Sequence, residues 1–134
     1  MGNTPLGWAA QNGHEEVVKL LLGRADVDPD KPGYGGRTPL MWAAYCGHEG
    51  IVRLLLGRDD VNPGKPEKYG LTPLHFAAYS GHEGVVELLL RRGDVNPNML
   101  NDYGQTPFSY AVEHGHAGVI ALLQPPTPTT HSTT

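Results

Sequence analysis

The chain has little that would make it a secreted, membrane-bound or catalytic protein. Its 134 residues contain one cysteine, Cys46, so no disulfide can form within it, and that usage fits a reducing compartment. No apolar run approaches the length needed to cross a bilayer; the leucine runs stop at three residues, Leu20 to Leu22, Leu54 to Leu56 and Leu88 to Leu90. No basic, apolar and small-residue leader opens the sequence, so we expect a cytoplasmic location rather than a secretory route. Positive charge is in deficit: the formal net charge is −4, against what a phosphate-binding surface requires, and nucleic acid is not expected as a partner. The catalytic signatures GxSxG, HExxH, a phosphate loop and CxxC are absent, and the carboxylates do not assemble into a catalytic pair. We therefore expect neither catalytic residues nor a cofactor.

What the chain has is repetition. Thr-Pro occurs at Thr4, Thr38, Thr72 and Thr106, and Gly-His at Gly13, Gly47, Gly81 and Gly115, each 34 residues after the last. The first unit, TPLGWAAQNGHEEVVKLLLGR, returns as TPLMWAAYCGHEGIVRLLLGR and TPLHFAAYSGHEGVVELLLRR. A fourth, TPFSYAVEHGHAGVIALLQ, is the most divergent. A fixed period of this size marks a stack of supersecondary units, each unable to bury its apolar face alone.

Each unit reads as two helices and a loop. Thr4 is placed to cap a helix through its hydroxyl, and Pro5 follows at the first helical position, where its missing N–H costs nothing. Leu6, Ala9 and Ala10 form a small-residue face at helical spacing, and Gly13 ends the helix. A second helix begins near His14, with Glu15 and Glu16 at its positive end and Val17, Val18, Leu20, Leu21 and Leu22 as its apolar stripe. The Gly- and Pro-rich stretch from Asp30 to Arg37 reads as a turn projecting from the stack.

These motifs, TPLxxAAxxGHxxVVxLLL followed by DVNP, resemble the ankyrin repeat, over residues 4–124. The family's usual period is about 33 residues; here it is 34. The DVNPxxxxxYG loops look like those of ankyrin arrays in large fungal multidomain proteins, which implies that the chain is part of something longer. The resemblance implies an all-α ankyrin-repeat solenoid: four helix-turn-helix repeats with projecting β-turn loops, at about 4–37, 38–71, 72–105 and 106–124, within a domain of residues 1–124. Residues 125–134, rich in Pro and Thr, read as a disordered tail or linker. It also implies a non-catalytic protein–protein interaction module that grips another protein with its loop tips and the exposed sides of its first helices. On this sequence the tips are Tyr34 and Arg37, then Lys68, Tyr69 and Leu71, then Asp102, Tyr103 and Gln105. The helix positions are Gln11 and Asn12, Tyr45 and Cys46, Tyr79 and Ser80, Glu113 and His114. These positions vary between units while the frame repeats, as a fixed scaffold with a varied reading surface would.

Other recurring residues read as structural. Trp8, Trp42, Phe76 and Tyr110 are expected to fill space between first helices. His14, His48, His82 and His116 fall one per unit, roughly 10 Å apart along the stack. Ligands of one zinc all lie about 2 Å from it, so we expect no metal and read these histidines as bonding between helix start and neighbouring loop. The resemblance implies a structural histidine at His75, and Asn62 and Asn96 read as turn formers before proline. Asp26, Asp60 and Asp94 are read as bonding backbone N–H groups at loop starts. The first unit shows no polar capping of its outer face, which leaves a structural spacer or end-to-end self-association as the alternative function.

Overall fold

The computed structural model describes residues 2–124; the tail expected at 125–134 lies outside the described residues. Eight helices follow in pairs: α1 (Pro5–Gln11) and α2 (Glu15–Leu22), α3 (Pro39–Cys46) and α4 (Glu49–Leu56), α5 (Pro73–Ser80) and α6 (Glu83–Leu90), α7 (Pro107–Glu113) and α8 (Ala117–Leu123). No strand occurs among the described residues. The first helices α1, α3, α5 and α7 stack in one layer and the second helices in another, and each pair packs across the two. This is an all-α solenoid of paired helices, the architecture that the resemblance implied.

Helices of seven or eight residues are too short to persist alone, so caps and stacking hold them. Thr4, Thr38, Thr72 and Thr106 each accept a backbone N–H three residues on, and proline follows at each first position. The small-residue face works as read: Ala9, Ala10, Ala43, Ala44, Ala77, Ala78 and Ala111 are fully buried, letting neighbouring first helices approach closely. Behind them Val18, Ile51, Val52, Leu55, Val85, Val86, Leu89 and Val119 form one continuous core with Leu40 and Leu74.

The units are tied by bonds that recur from one to the next. The His48, His82 and His116 rings bond the carbonyls of Gln11, Tyr45 and Tyr79 at 3.2, 3.1 and 2.9 Å. They therefore join the start of one second helix to the end of the preceding unit's first helix, not to a neighbouring loop. The reason is the turn before them: Gly47 and Gly81 close α3 and α5 in the left-handed conformation, and the next unit's imidazole lies against that glycine. Asp26, Asp60 and Asp94 also differ from expectation. They bond the guanidinium groups of Arg24, Arg58 and Arg92 at 3.0, 3.1 and 3.2 Å, because arginine stands two residues earlier in the same turn. Arg58 and Arg92 donate as well to the carbonyls of Leu22 and Leu56 in the preceding unit.

Glu15, Glu49 and Glu83 lie in the first turn of their own helices, as the helix dipole favours. Their carboxylates also sit over Gly50, Gly84 and Gly118 of the following unit, in space that a Cβ there would need. The first unit has Glu16 at the glycine position, and the fourth has Ala117 at the glutamate position.

Candidate functional site

The loops form their own ladder along one edge of the stack. Each closes on itself through Gly33 N–H to Arg37 O, Glu67 N–H to Leu71 O and Asn101 N–H to Gln105 O. Successive loops are joined by Lys68 N–H to Gly35 O and Asp102 N–H to Tyr69 O. The first loop holds a single 3-10 turn, Tyr34–Gly36, which delivers Arg37 toward the first helices. Asn62 and Asn96 each accept the backbone N–H two residues on, the turn-forming role read for them.

Between loops and first helices lies a cleft of about 430 Å³, lined by Arg37, Trp42, Tyr45, Leu71, His75, Phe76, Tyr79 and Tyr110. Tyr45 and Tyr79 form one wall, with ring centroids 6.2 Å apart and 41% and 43% of their surfaces exposed. Phe76 meets Tyr45 edge-on at 6.1 Å, and Tyr110 meets Tyr79 edge-on at 5.9 Å. The Arg37 guanidinium carbon lies 5.2 Å from the Trp42 ring centroid and 5.4 Å from that of Phe76, within cation–π range of both.

His75 closes the floor and is fully buried. Its Nδ1 accepts the Thr72 backbone N–H, and its Nε2 lies 3.0 Å from the Gln105 carbonyl oxygen. Burial lowers its pKa from the ordinary value, so the ring is held neutral, with Nε2 as the donor. Tyr110 is fixed from behind by Asn101, whose amide donates to its hydroxyl at 2.9 Å, and burial raises that phenol's pKa. These contacts position rings; none sets a nucleophile beside a base.

Of the residues singled out from sequence, Arg37, Tyr45, Leu71 and Tyr79 converge on the cleft. A second group stands on the loop tips: Tyr69 and Tyr103 lie with ring centroids 6.2 Å apart, Lys68 Nζ is 5.4 Å from the Tyr69 ring, Asp102 is exposed next to Tyr103, and Tyr34 is exposed on the first loop. His114 packs edge-on against Tyr79 at 4.5 Å, outside the cleft lining, with Glu113 exposed beside it in α7. Cys46, Ser80 and Gln105 are half-buried outside it, and burial pushes the Cys46 thiol pKa up, away from the reactive thiolate.

From the sequence Trp42, Phe76 and Tyr110 read as packing residues and His75 as a structural histidine, and all four line the cleft. Trp42 and Phe76 do pack, at 9% and 8% exposure, yet one edge of each forms the cleft. Trp8, their counterpart in the first unit, is 53% exposed and stacks on His14 instead. The periodic signal marked all four aromatics equally; the cover that a preceding loop provides is not periodic at its first member.

No helix among the described residues is long and apolar enough to cross a membrane. No curated protein matches the chain at a significant level. The model for ankyrin repeats (3 copies) matches residues 1–67 and again 59–131, nearly the whole sequence. With its paired helices, threonine caps and laddered loops, the chain belongs to the ankyrin-repeat family.

Proposed function

We propose that the chain is a non-catalytic docking module that holds a segment of another protein across the cleft between its loops and first helices. Ankyrin repeats are in general protein–protein interaction modules and typically have no enzymatic activity. The observation that carries the reading here is the wall of Tyr45 and Tyr79, two rigid aromatic rings left half exposed on a fully packed frame. Tyrosine on such a frame offers a large amphipathic contact at little cost in conformational entropy, the usual make-up of an interface anchor. The loop-tip residues Lys68, Tyr69, Asp102 and Tyr103 extend the same reading to a second contact area.

The test is a displayed peptide library selected on the chain and on its Tyr45→Ala/Tyr79→Ala variant. The variant keeps the far-ultraviolet circular dichroism of the parent, because neither ring is core. It loses the selected peptides by about 2 kcal/mol for each ring that acts as an anchor. Equal binding by parent and variant refutes the cleft as the docking surface.

A second reading, a spacer or self-associating array, draws on the first unit, where Trp8, Val17 and Leu20 are each exposed. A spacer is indifferent to the tyrosine change, and a self-associating array grows in mass with concentration under light scattering.

A further inference from the structure

Resting on the docking reading above, we infer that the cleft is built for a partner segment bearing a carboxylate side chain next to an aromatic or aliphatic one, with Arg37 as the carboxylate's counter-ion. Arg37 is set apart by what surrounds it. Arg24, Arg53, Arg58 and Arg92 each lie within ion-pair distance of an Asp or Glu, and Arg91, which does not, is exposed to solvent. Among the described residues no carboxylate stands that close to Arg37, and its Nε–H is buried without a hydrogen-bond partner. The side chain is nonetheless held in place: its backbone N–H donates to Tyr34 O and its carbonyl accepts from Gly33, and the guanidinium lies over Trp42 and Phe76.

A guanidinium cannot lose its charge, and its planar fork of donors matches a carboxylate. Held over two rings in a half-enclosed apolar cleft, it forms a stronger charge-assisted bond than it would in open water. The same position is Leu71 in the next loop and Gln105 in the one after, so the stack itself requires no charge there. Two alternatives fit less well. A cationic side chain entering the aromatic walls would meet the charge of Arg37 over the faces of Trp42 and Phe76. A long acidic run would be repelled by a chain whose formal net charge is −4. One carboxylate beside one apolar group satisfies both constraints, with Tyr45, Tyr79 and Leu71 receiving the apolar side chain.

The internal rival is Glu67, buried to 7% exposure, whose Oε1 accepts the backbone N–H groups of Tyr69 and Leu71 and whose Oε2 has no partner. It does not ion-pair with Arg37 in this structure, and the test includes it.

The experiment is a positional-scanning library of short acetylated and amidated peptides, with binding read by fluorescence polarisation on the chain and on Arg37→Leu. The substitution installs the residue that Leu71 supplies in the next loop, and circular dichroism checks its fold. The parent is expected to select Asp or Glu at one position beside an apolar one, and exchanging that Glu for Gln weakens binding about tenfold or more. Arg37→Leu binds the Glu and Gln peptides alike. Selection of apolar residues without an acidic one overturns the inference and leaves the docking reading standing; no selection at all overturns both. Selection of Lys or Arg, or an acidic preference that survives Arg37→Leu, overturns the inference. So does a double-mutant cycle in thermal unfolding that couples Arg37 to Glu67, since the counter-ion would then be internal.

Discussion

Gly81 takes φ +79° at the end of α5, and the His116 ring of the next unit lies where its Cβ would be. Three residues on, Gly84 is helical, and the atoms nearest its Cβ would be the carboxyl end of the Glu49 side chain. The two positions therefore answer differently to the same change. Gly81→Ala places a side chain in the left-handed region at about 1–2 kcal/mol and displaces a histidine that bonds Tyr79 O. We expect it to lower stability by at least that much in urea denaturation. Gly84→Ala forces a carboxylate to swing into solvent, which it can do cheaply, and gains helix propensity; stability is expected to stay within about 0.5 kcal/mol of the parent. The Gly-His dipeptide was legible as a helix end followed by a helix start. Its use as a clasp between units was not, because the partner carbonyl lies 37 residues away and nothing local marks it.

At the scale of the helix, α5 shows how a cap becomes a buried titratable group. The side chain at its third position faces back to the threonine cap and is Met41, His75 or Ser109 in the successive units. Only His75 titrates, and it is also sealed under the next loop by the Gln105 carbonyl. In the unfolded chain this imidazole takes up a proton as pH falls through its ordinary value of 6.5; in the folded chain burial holds its pKa lower. Between the two values the unfolded state binds more protons, so stability falls with falling pH, and well above 6.5, where the ring is neutral in both states, the group contributes no pH dependence. We expect urea midpoints to drop between about pH 7.5 and pH 5.5, a window that avoids ordinary carboxylate titration, and His75→Gln to flatten that drop. An unchanged pH profile in the variant would exclude His75 as its source. Helix starts and ends were readable because Thr-Pro and Gly act through neighbours in sequence. The Arg58 and Arg92 bonds to Leu22 and Leu56 were not, since two residues 36 apart come together only once units stack.

Across the whole molecule, burial is uneven along the stack. α4 and α6 each bury three side chains, whereas α2 buries Val18 alone and α8 buries Val119 and Leu123. A linear array gains stability from neighbours on both sides, which the end units lack. Hydrogen exchange is expected to protect the amides of α4 and α6 most strongly and to release those of α2 and α8 first. Uniform protection would mean that the stack opens only as one body. The period of 34 was enough to read this architecture, and the cleft only in part. Arg37, Tyr45, Leu71 and Tyr79 were recognisable as groove positions, but the floor was not, because Trp42 and Phe76 pack and line the cleft with the same rings. The carboxylates of Glu15, Glu49 and Glu83, seated on glycines of the following unit, give the stack a grammar. A middle unit can be copied or excised in whole periods, since every glutamate still meets a glycine. A second copy of the first unit placed after it would press Glu15 onto the duplicate's Glu16, so lengthening by duplication is open from the middle and obstructed at the front.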